Sequence, residues 1–396
     1  MLRLPVFMDY HSTTPVDPRV VEAMLPYFTQ KFGNAGSVNH SFGWEARDAV
    51  DAARATIAAA IGANEKEIVF TSGATESNNL AIRGVAERPR RRGDHLVTIT
   101  TEHKAVLDPV ARLGRRGFDV TLVGVKQRGA DDAGIVDVNE VAAAIGDDTV
   151  LVSVMLANNE IGAIGPIAEI GAICRARGVT FHCDATQGVG KVPVDVDRLN
   201  VDLMSMSAHK ICGPKGVGAL YVRRRTPSVR LEPQITGGGQ EGGFRGGTLN
   251  VPGIVGFANA VELSLAEMEV EQARLRKLRD RLRATIFESV PGVSLNGPRL
   301  DRPEWRLAGN LNLTFAGVDG EALMMSIKNL AVSSGAACTS ANPEPSHVLA
   351  ALGLSLDEAR SSLRFGMGRF TTEEEVAFAA AAVASAAAKL RRLKGS

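Results

Sequence analysis

Cysteine is scarce in this sequence: Cys174, Cys183, Cys212 and Cys338 are the only four among 396 residues. They form no CxxC pair and no Cys/His cluster at zinc-ligand spacing, which excludes a disulfide framework and a structural zinc site and leaves each to be judged as a thiol. Aromatic residues reach only 5%, and no basic stripe with interleaved aromatics marks one face. An excess of one charge is missing as well, since 45 basic side chains meet 44 acidic ones for a net charge of +1. Nucleic acid is therefore not expected as a partner. No segment reaches membrane-spanning length, and the apolar run within Met1 to Asp9 is too short for a secretory signal. A cytoplasmic protein without a membrane partner is expected.

What is present is ordinary globular composition, 45% hydrophobic and 22% charged, in a chain long enough to outgrow one core. Short apolar runs alternate with helical stretches at Glu67-Thr71, His95-Thr100, Asp119-Val123, Thr149-Met155, Val179-Cys183, Asp202-Ser207 and Val217-Val222. This pattern predicts an α/β fold with a mostly parallel sheet of roughly seven strands flanked by helices. Helices are expected over Asn78-Ala86, Ala105-Arg116 and Ile167-Arg177. A long helix, about Val251 to Glu288, is expected to lead into a smaller α+β domain. Its Leu275, Leu278 and Leu282 share one face, with Arg274, Arg276, Arg279 and Arg281 in water. The domain division expected is 16–257 for the large unit, with 1–15 and 258–396 forming the small one. The last helix opens on a Thr372/Glu375 capping box and closes on Lys389, Arg391, Arg392 and Lys394, complementing the helix dipole. Between residues 237 and 248 seven glycines in twelve positions mark a loop.

Chemistry-bearing residues gather at the ends of the predicted strands. Lys210 follows Ser205-Met206-Ser207-Ala208-His209 and precedes Gly213-Pro214-Lys215-Gly216, so it can face a cleft, although a surface lysine accounts for the hexamer equally well. Asp184, ending another strand ahead of Thr186 and Gln187, is the kind of carboxylate that keeps a pyridine nitrogen protonated; a helix N-cap is its plainer explanation. Thr71-Ser72-Gly73-Ala74-Thr75-Glu76-Ser77 offers small residues and a hydroxyl at a helix start, able to close around a phosphate. No Gly-Lys-Ser/Thr follows it, so it is not a Walker loop. His103 lies past a fourth strand, placed to stack on a ring and move protons, or simply to cap.

These stretches, with Asn158-Asn159-Glu160-Ile161-Gly162 and Ser333-Ser334-Gly335-Ala336-Ala337-Cys338-Thr339-Ser340, resemble the cysteine desulfurases of the iron-sulfur cluster assembly type, within the class V aminotransferase group. The likeness runs from Asp9 to about Glu375. It implies fold type I, a homodimer, and pyridoxal 5'-phosphate as cofactor. By this resemblance Lys210 holds the cofactor covalently, Asp184 pairs with the pyridine nitrogen, Gln187 and Asn159 serve the ring-oxygen side, and His103 stacks on the ring. Gly73, Ala74, Thr75, Ser207 and His209 hold the phosphate, and Thr248 reaches the phosphate of the neighbouring subunit. Arg364 matches the residue that clamps the substrate carboxylate, with Arg369 as the nearby alternative. Asn34 matches a position near that carboxylate, although an Asn between glycines is by default a turn residue.

The small-residue segment from Ser333 to Ala341 can bury little apolar area, which suits a mobile arm with the thiol of Cys338 at its tip. Cys174 in a helix, Cys183 in a strand and Cys212 in a bend are expected as buried small apolar side chains. The activity implied is removal of sulfur from L-cysteine to give L-alanine and a persulfide on Cys338, for delivery to an acceptor protein. A selenocysteine lyase or another class V enzyme remains the alternative, because fold alone does not fix function. A non-catalytic binding protein would be expected to lack Lys210 or Cys338. No role is assigned to His11, and the short tail after the last helix leaves docking to an iron-sulfur scaffold open.

Overall fold

Apolar runs too short for helices become strands here because both faces of the sheet they join are covered. The computed structural model describes residues 2–89, 93–334 and 345–394. After a two-residue strand, β1 (Val6–Phe7), the main sheet is built from β2 (Ile68–Thr71), β3 (His95–Ile99), β4 (Asp119–Val123), β5 (Thr149–Ser153), β6 (Thr180–Asp184), β7 (Leu203–Ser207) and β8 (Gly218–Val222). These are the seven runs read from the sequence: five are trimmed by one or two residues, β4 is unchanged, and β6 is shifted by one residue to take in Asp184. They lie in the order β2-β8-β7-β6-β5-β3-β4. Every residue of β2, β3, β5, β7 and β8 is buried, whereas the edge strand β4 leaves Asp119 and Leu122 exposed. Continuous burial is what a sheet covered on both faces demands.

Strand direction is what creates the site. β3 to β7 pair in parallel, and β8 runs antiparallel to both β7 and β2. It follows that β2 points the same way as β7, so the chain leaves β2, β3, β5, β6 and β7 on one side of the sheet. Ligands of open α/β sheets bind outside such carboxyl ends. Helices 74–86, 104–114 and 167–177 return the chain between strands. Gly73 sits at φ 148° at the first of these helices, and Gly218 packs on it. A Cβ on Gly218 would come within 2.7 Å of Gly73 Cα, so only glycine permits this close approach.

The helix Val251–Ser289 spans two cores: Val251, Ile254, Phe257 and Val261 pack under the main sheet, and Leu275, Leu278, Leu282 and Ile286 pack into the second. Leu275, Leu278 and Leu282 thus share a buried face as expected, but Arg279 is no wet residue: it is 1% exposed and donates from Nη2 to the Leu300 carbonyl. Position 279 is four residues after Leu275 and three before Leu282, which places it on the same helical stripe. The second core is covered by the antiparallel sheet of β9 (Val293–Leu295), β10 (Asn310–Phe315), β12 (Ser333–Ser334) and β13 (Ser362–Gly366), in the order β12-β13-β10-β9. Between β10 and β12, β11 (Leu330–Ala331) pairs in parallel with β1, bringing the first residues of the chain to this core. Val348, Leu349, Leu352 and Ala359 pack instead with the first core. The last helix, Glu373–Lys394, begins at the expected box, with Thr372 N–H donating to Glu375 Oε2 and Glu375 N–H to Thr372 Oγ1.

Candidate active site

The strand ends converge on a cavity of about 800 Å³. Of the residues singled out from the sequence, Gly73, Ala74, Thr75, His103, Asn159, Asp184, Gln187, Ser207, His209, Lys210 and Arg364 all line it. Residues from the second sheet, Asn312, Ser333, Ser334 and Arg364, close its far side.

Lys210 follows β7 in a short turn, and its Nζ donates to the carbonyls of His11 at 2.8 Å and Ser12 at 2.5 Å. Both acceptors are neutral, so they offset only part of the desolvation of an ammonium. Burial, reinforced by the cations Lys191 and Arg364, brings the amine down to about 7, against a smaller opposing pull from Asp9 and Asp184. A large fraction of Lys210 is then free base at neutral pH, as a nucleophilic or proton-accepting lysine requires.

Asp184 is buried, with Oδ2 accepting from Asn78 Nδ2 at 2.8 Å and Oδ1 from Thr186 N–H at 3.0 Å. No helix follows Asp184, so the N-cap explanation does not hold: the Thr186 bond closes a turn, and the carboxylate still retains acceptor capacity toward the cavity it lines. His103 is both cap and cavity wall. Its Nδ1 accepts from Ala105 N–H at 3.0 Å, which leaves the ring proton of the neutral form on Nε2. The residue is exposed where it lines the cavity, yet the protein around it lowers its pKa by desolvation, with Asp184 opposing. His209 is held by Thr13 Oγ1 at 3.1 Å and lowered to about 4 by burial and then by Lys210, so it is neutral.

Arg364 projects from β13 with its guanidinium turned into the cavity. Nη2 donates to Asp9 Oδ1 at 2.8 Å and Ser333 Oγ at 2.7 Å, and Nη1 to the Asn159 carbonyl at 3.1 Å. Arg369 is tied elsewhere, to Asp17 Oδ2 at 2.9 Å and Glu271 Oε2 at 3.2 Å, and does not line this cavity.

A lysine amine of lowered basicity, a buried carboxylate and an arginine fork in one cavity narrow the chemistry, and comparison with known proteins narrows it further. The aminotransferase class-V family pattern matches residues 6–378. The chain belongs to the class V aminotransferase family. It is similar to the cysteine desulfurase IscS of Anaeromyxobacter dehalogenans, 56% identical over 392 residues that cover 99% of this chain and 95% of that protein. Among solved structures, a NifS-like protein superposes with a TM-score of 0.88 at 35% identity, covering 97% of this chain and 100% of that one. A second, SspA in complex with cysteine, superposes with a TM-score of 0.77 at 37% identity over 92% of this chain and 99% of that one.

Two of the residues carried over from that family by sequence stand apart from the cavity. Asn34 is exposed, and its Oδ1 accepts from Gly36 N–H at 2.8 Å in a local turn; the turn explanation describes it here. Thr248 is exposed and outside the cavity lining. Cys338 lies outside the described residues. Cys174, Cys183 and Cys212 are buried free thiols whose pKa is raised by desolvation, which keeps them protonated and unreactive.

Sequence reasoning missed several members of this class V site. Asp9 and Ser333 hold Arg364, Asn78 holds Asp184, and His11 is 3% exposed beneath Lys210. Glu102 is fully buried, its Oε1 accepting from Met155 N–H, and desolvation followed by Asp184 pushes its carboxyl well above the usual range. For Asp9 and His11 the stretch Asp9-Tyr10-His11-Ser12 was the available signal, since four consecutive polar-bearing residues follow an apolar start.

Proposed function

We propose that this chain is a cysteine desulfurase that uses pyridoxal 5'-phosphate, moves the sulfur of L-cysteine to Cys338 and releases L-alanine. The observation that carries the reading is that Lys210, Asp184 and Arg364 line one cavity. The class V membership and the desulfurase relatives support it.

The donor set fits that cofactor. Gly73, Ala74 and Thr75, at a helix start whose first N–H groups have no intrahelical partner, would hold the phosphate with Ser207 and His209. Asp184 would pair with the ring nitrogen, Gln187 and Asn159 would face the ring oxygen, and His103 would stack on the ring. When bound, the cofactor supplies a sink for the electron pair freed at the substrate Cα.

Arg364 receives the substrate carboxylate and so fixes which Cα bond faces Lys210; both Nη2 hydrogens already go to Asp9 and Ser333, so a two-bond fork forms as one of those contacts gives way. Lys210 Nζ, near neutrality, takes the Cα proton and later returns it. His103, with its proton on Nε2, moves a second proton at the substrate's carbon end. The thiolate of Cys338 attacks the substrate Sγ: the S–S bond forms as the Cβ–Sγ bond breaks, and the electron pair stays with carbon. The two sulfurs are oxidised to the persulfide level and Cβ is reduced to the methyl of alanine. Of the two thiol protons, one stays on the persulfide and one completes that methyl.

A homodimer is part of the reading. Phe28, Phe32, Phe42 and Trp44 are between 49% and 62% exposed, with the Phe32 and Phe42 rings 5.3 Å apart, and clustered exposed apolar side chains mark interaction surfaces. Thr248, outside its own cavity, suits a contribution to the partner's. The persulfide passes to an acceptor protein, as iron-sulfur cluster assembly requires.

The test is the full chain loaded with pyridoxal phosphate and given L-cysteine. Alanine and a persulfide on Cys338 should appear together. Transfer of the amino group to a keto acid with no sulfur on Cys338 would overturn the reading.

A further inference from the structure

A second lysine stands behind the cavity wall. Lys191 is absent from the main cavity's lining but lines a smaller one that shares His11 and Lys210 with it. Its Nζ donates to Gln187 Oε1 at 2.7 Å; Gln187 Nε2 donates to the His11 carbonyl at 2.8 Å; and the same carbonyl accepts from Lys210 Nζ at 2.8 Å. The two amines are thus joined through one amide and one carbonyl.

This chain of bonds decides which way Gln187 points. An ammonium can only donate and a carbonyl can only accept, so Oε1 must face Lys191 and Nε2 must face His11. His11 agrees: its Nδ1 lies 3.3 Å from Oε1 and can donate, and burial followed by Lys191 keeps the imidazole neutral. One Nε2 hydrogen is used on His11, and the other is left for the cavity that Gln187 lines.

Resting on the function proposed above, we propose that Lys191 is a positioning residue for the same reaction: its ammonium locks the Gln187 amide with its NH2 toward the cavity and sets a second positive charge behind Lys210. Gln187 is then a fixed donor for an oxygen of the cofactor ring. The charge disfavours the protonated state of Lys210 and of any link Lys210 makes to the cofactor.

The charged surroundings are named on each side. Lys210 faces the cations Lys191 and Arg364 and the anions Asp9 and Asp184. Lys191 faces Glu271 and the thiol of Cys212. Desolvation brings Lys191 to about 8, so most of it is charged at neutral pH.

The experiment is a pH titration of the visible absorption of the cofactor-loaded full chain, comparing the parent with Lys191→Met, Lys191→Gln and Lys191→Arg. The midpoint should rise by about one unit in the Met and Gln variants, the size expected for one nearby like charge, and stay near the parent's in the Arg variant. The turnover number should fall while KM for cysteine holds, because Arg364 is untouched. If the neutral variants load no cofactor, the pH midpoint for modification of Lys210 by an amine reagent, followed by mass spectrometry, reads the same shift on the cofactor-free proteins. An unchanged midpoint in the neutral variants, or an equal shift in Lys191→Arg, overturns the proposal. Failure of the broader reading looks different: the parent itself would then lack an absorption band that depends on Lys210.

Discussion

Asp9 and Arg364 form an ion pair inside the cavity, with Nη2 2.8 Å from Oδ1, and Ser333 closes the triangle by donating to that oxygen and accepting from that nitrogen. The Arg364 side chain is 9% exposed and that of Asp9 18%, so the pair is largely shielded from the solvent that weakens surface ion pairs. A substrate carboxylate therefore meets an arginine already oriented. It also meets an anion that competes for the same charge.

Replacing Arg364 by lysine keeps the charge but loses the planar fork. KM for cysteine should rise about 10- to 100-fold, the equivalent of about 1.5–3 kcal/mol for a charge-assisted bond. The absorption of the bound cofactor should be unaltered. Steady-state kinetics beside a spectrum checks both, and an unchanged KM would remove Arg364 from the clamp.

Asp9→Asn removes one of the two anions that raise the Lys210 pKa. Its titration midpoint should move down, opposite in sign to the Lys191→Met shift. The same absorbance titration measures it, and an upward movement would contradict the electrostatic account.

With Lys210 brought to about 7 by burial and neighbouring cations, the cofactor-free chain should capture pyridoxal phosphate at a rate that levels above neutrality. Below pH 7 the ammonium dominates, so the rate should fall about tenfold per pH unit. Stopped-flow uptake across the pH range checks this. A flat acid limb would mean that Lys210 is not the reacting amine.

Cys338→Ser should abolish persulfide formation and sulfide release while leaving the cofactor's colour and its response to added cysteine intact. Mass spectrometry after incubation with cysteine reads the first, and absorption reads the second. A fully active variant would remove Cys338 from the reaction.

Much of this was legible in the residues. The seven strands are continuous apolar runs bounded by turns, and the polar residues just past them are the ones the cavity collects, because parallel strands put all their carboxyl ends on one side. Arg279 shows where pattern reading fails: its charge suggested solvent, while its place on the Leu275/Leu282 stripe buried it. Asn34, matched by motif, has its Oδ1 committed to its own turn, a bond that any Asn in such a turn can make.

The sequence by itself determined the strand-forming segments, the residues at their ends and the family they resemble, all of which are local properties of short stretches. Only the tertiary structure decided that Arg364, and not Arg369, meets Asp9 across 355 positions of chain, and that Lys191 reaches Lys210 through Gln187 and His11. Those contacts depend on the strand order β2-β8-β7-β6-β5-β3-β4 and on how the second sheet closes over it. Local propensity and periodicity are blind to both, because the energy that selects a partner hundreds of residues away comes from burial shared with that partner and from nothing in its own segment.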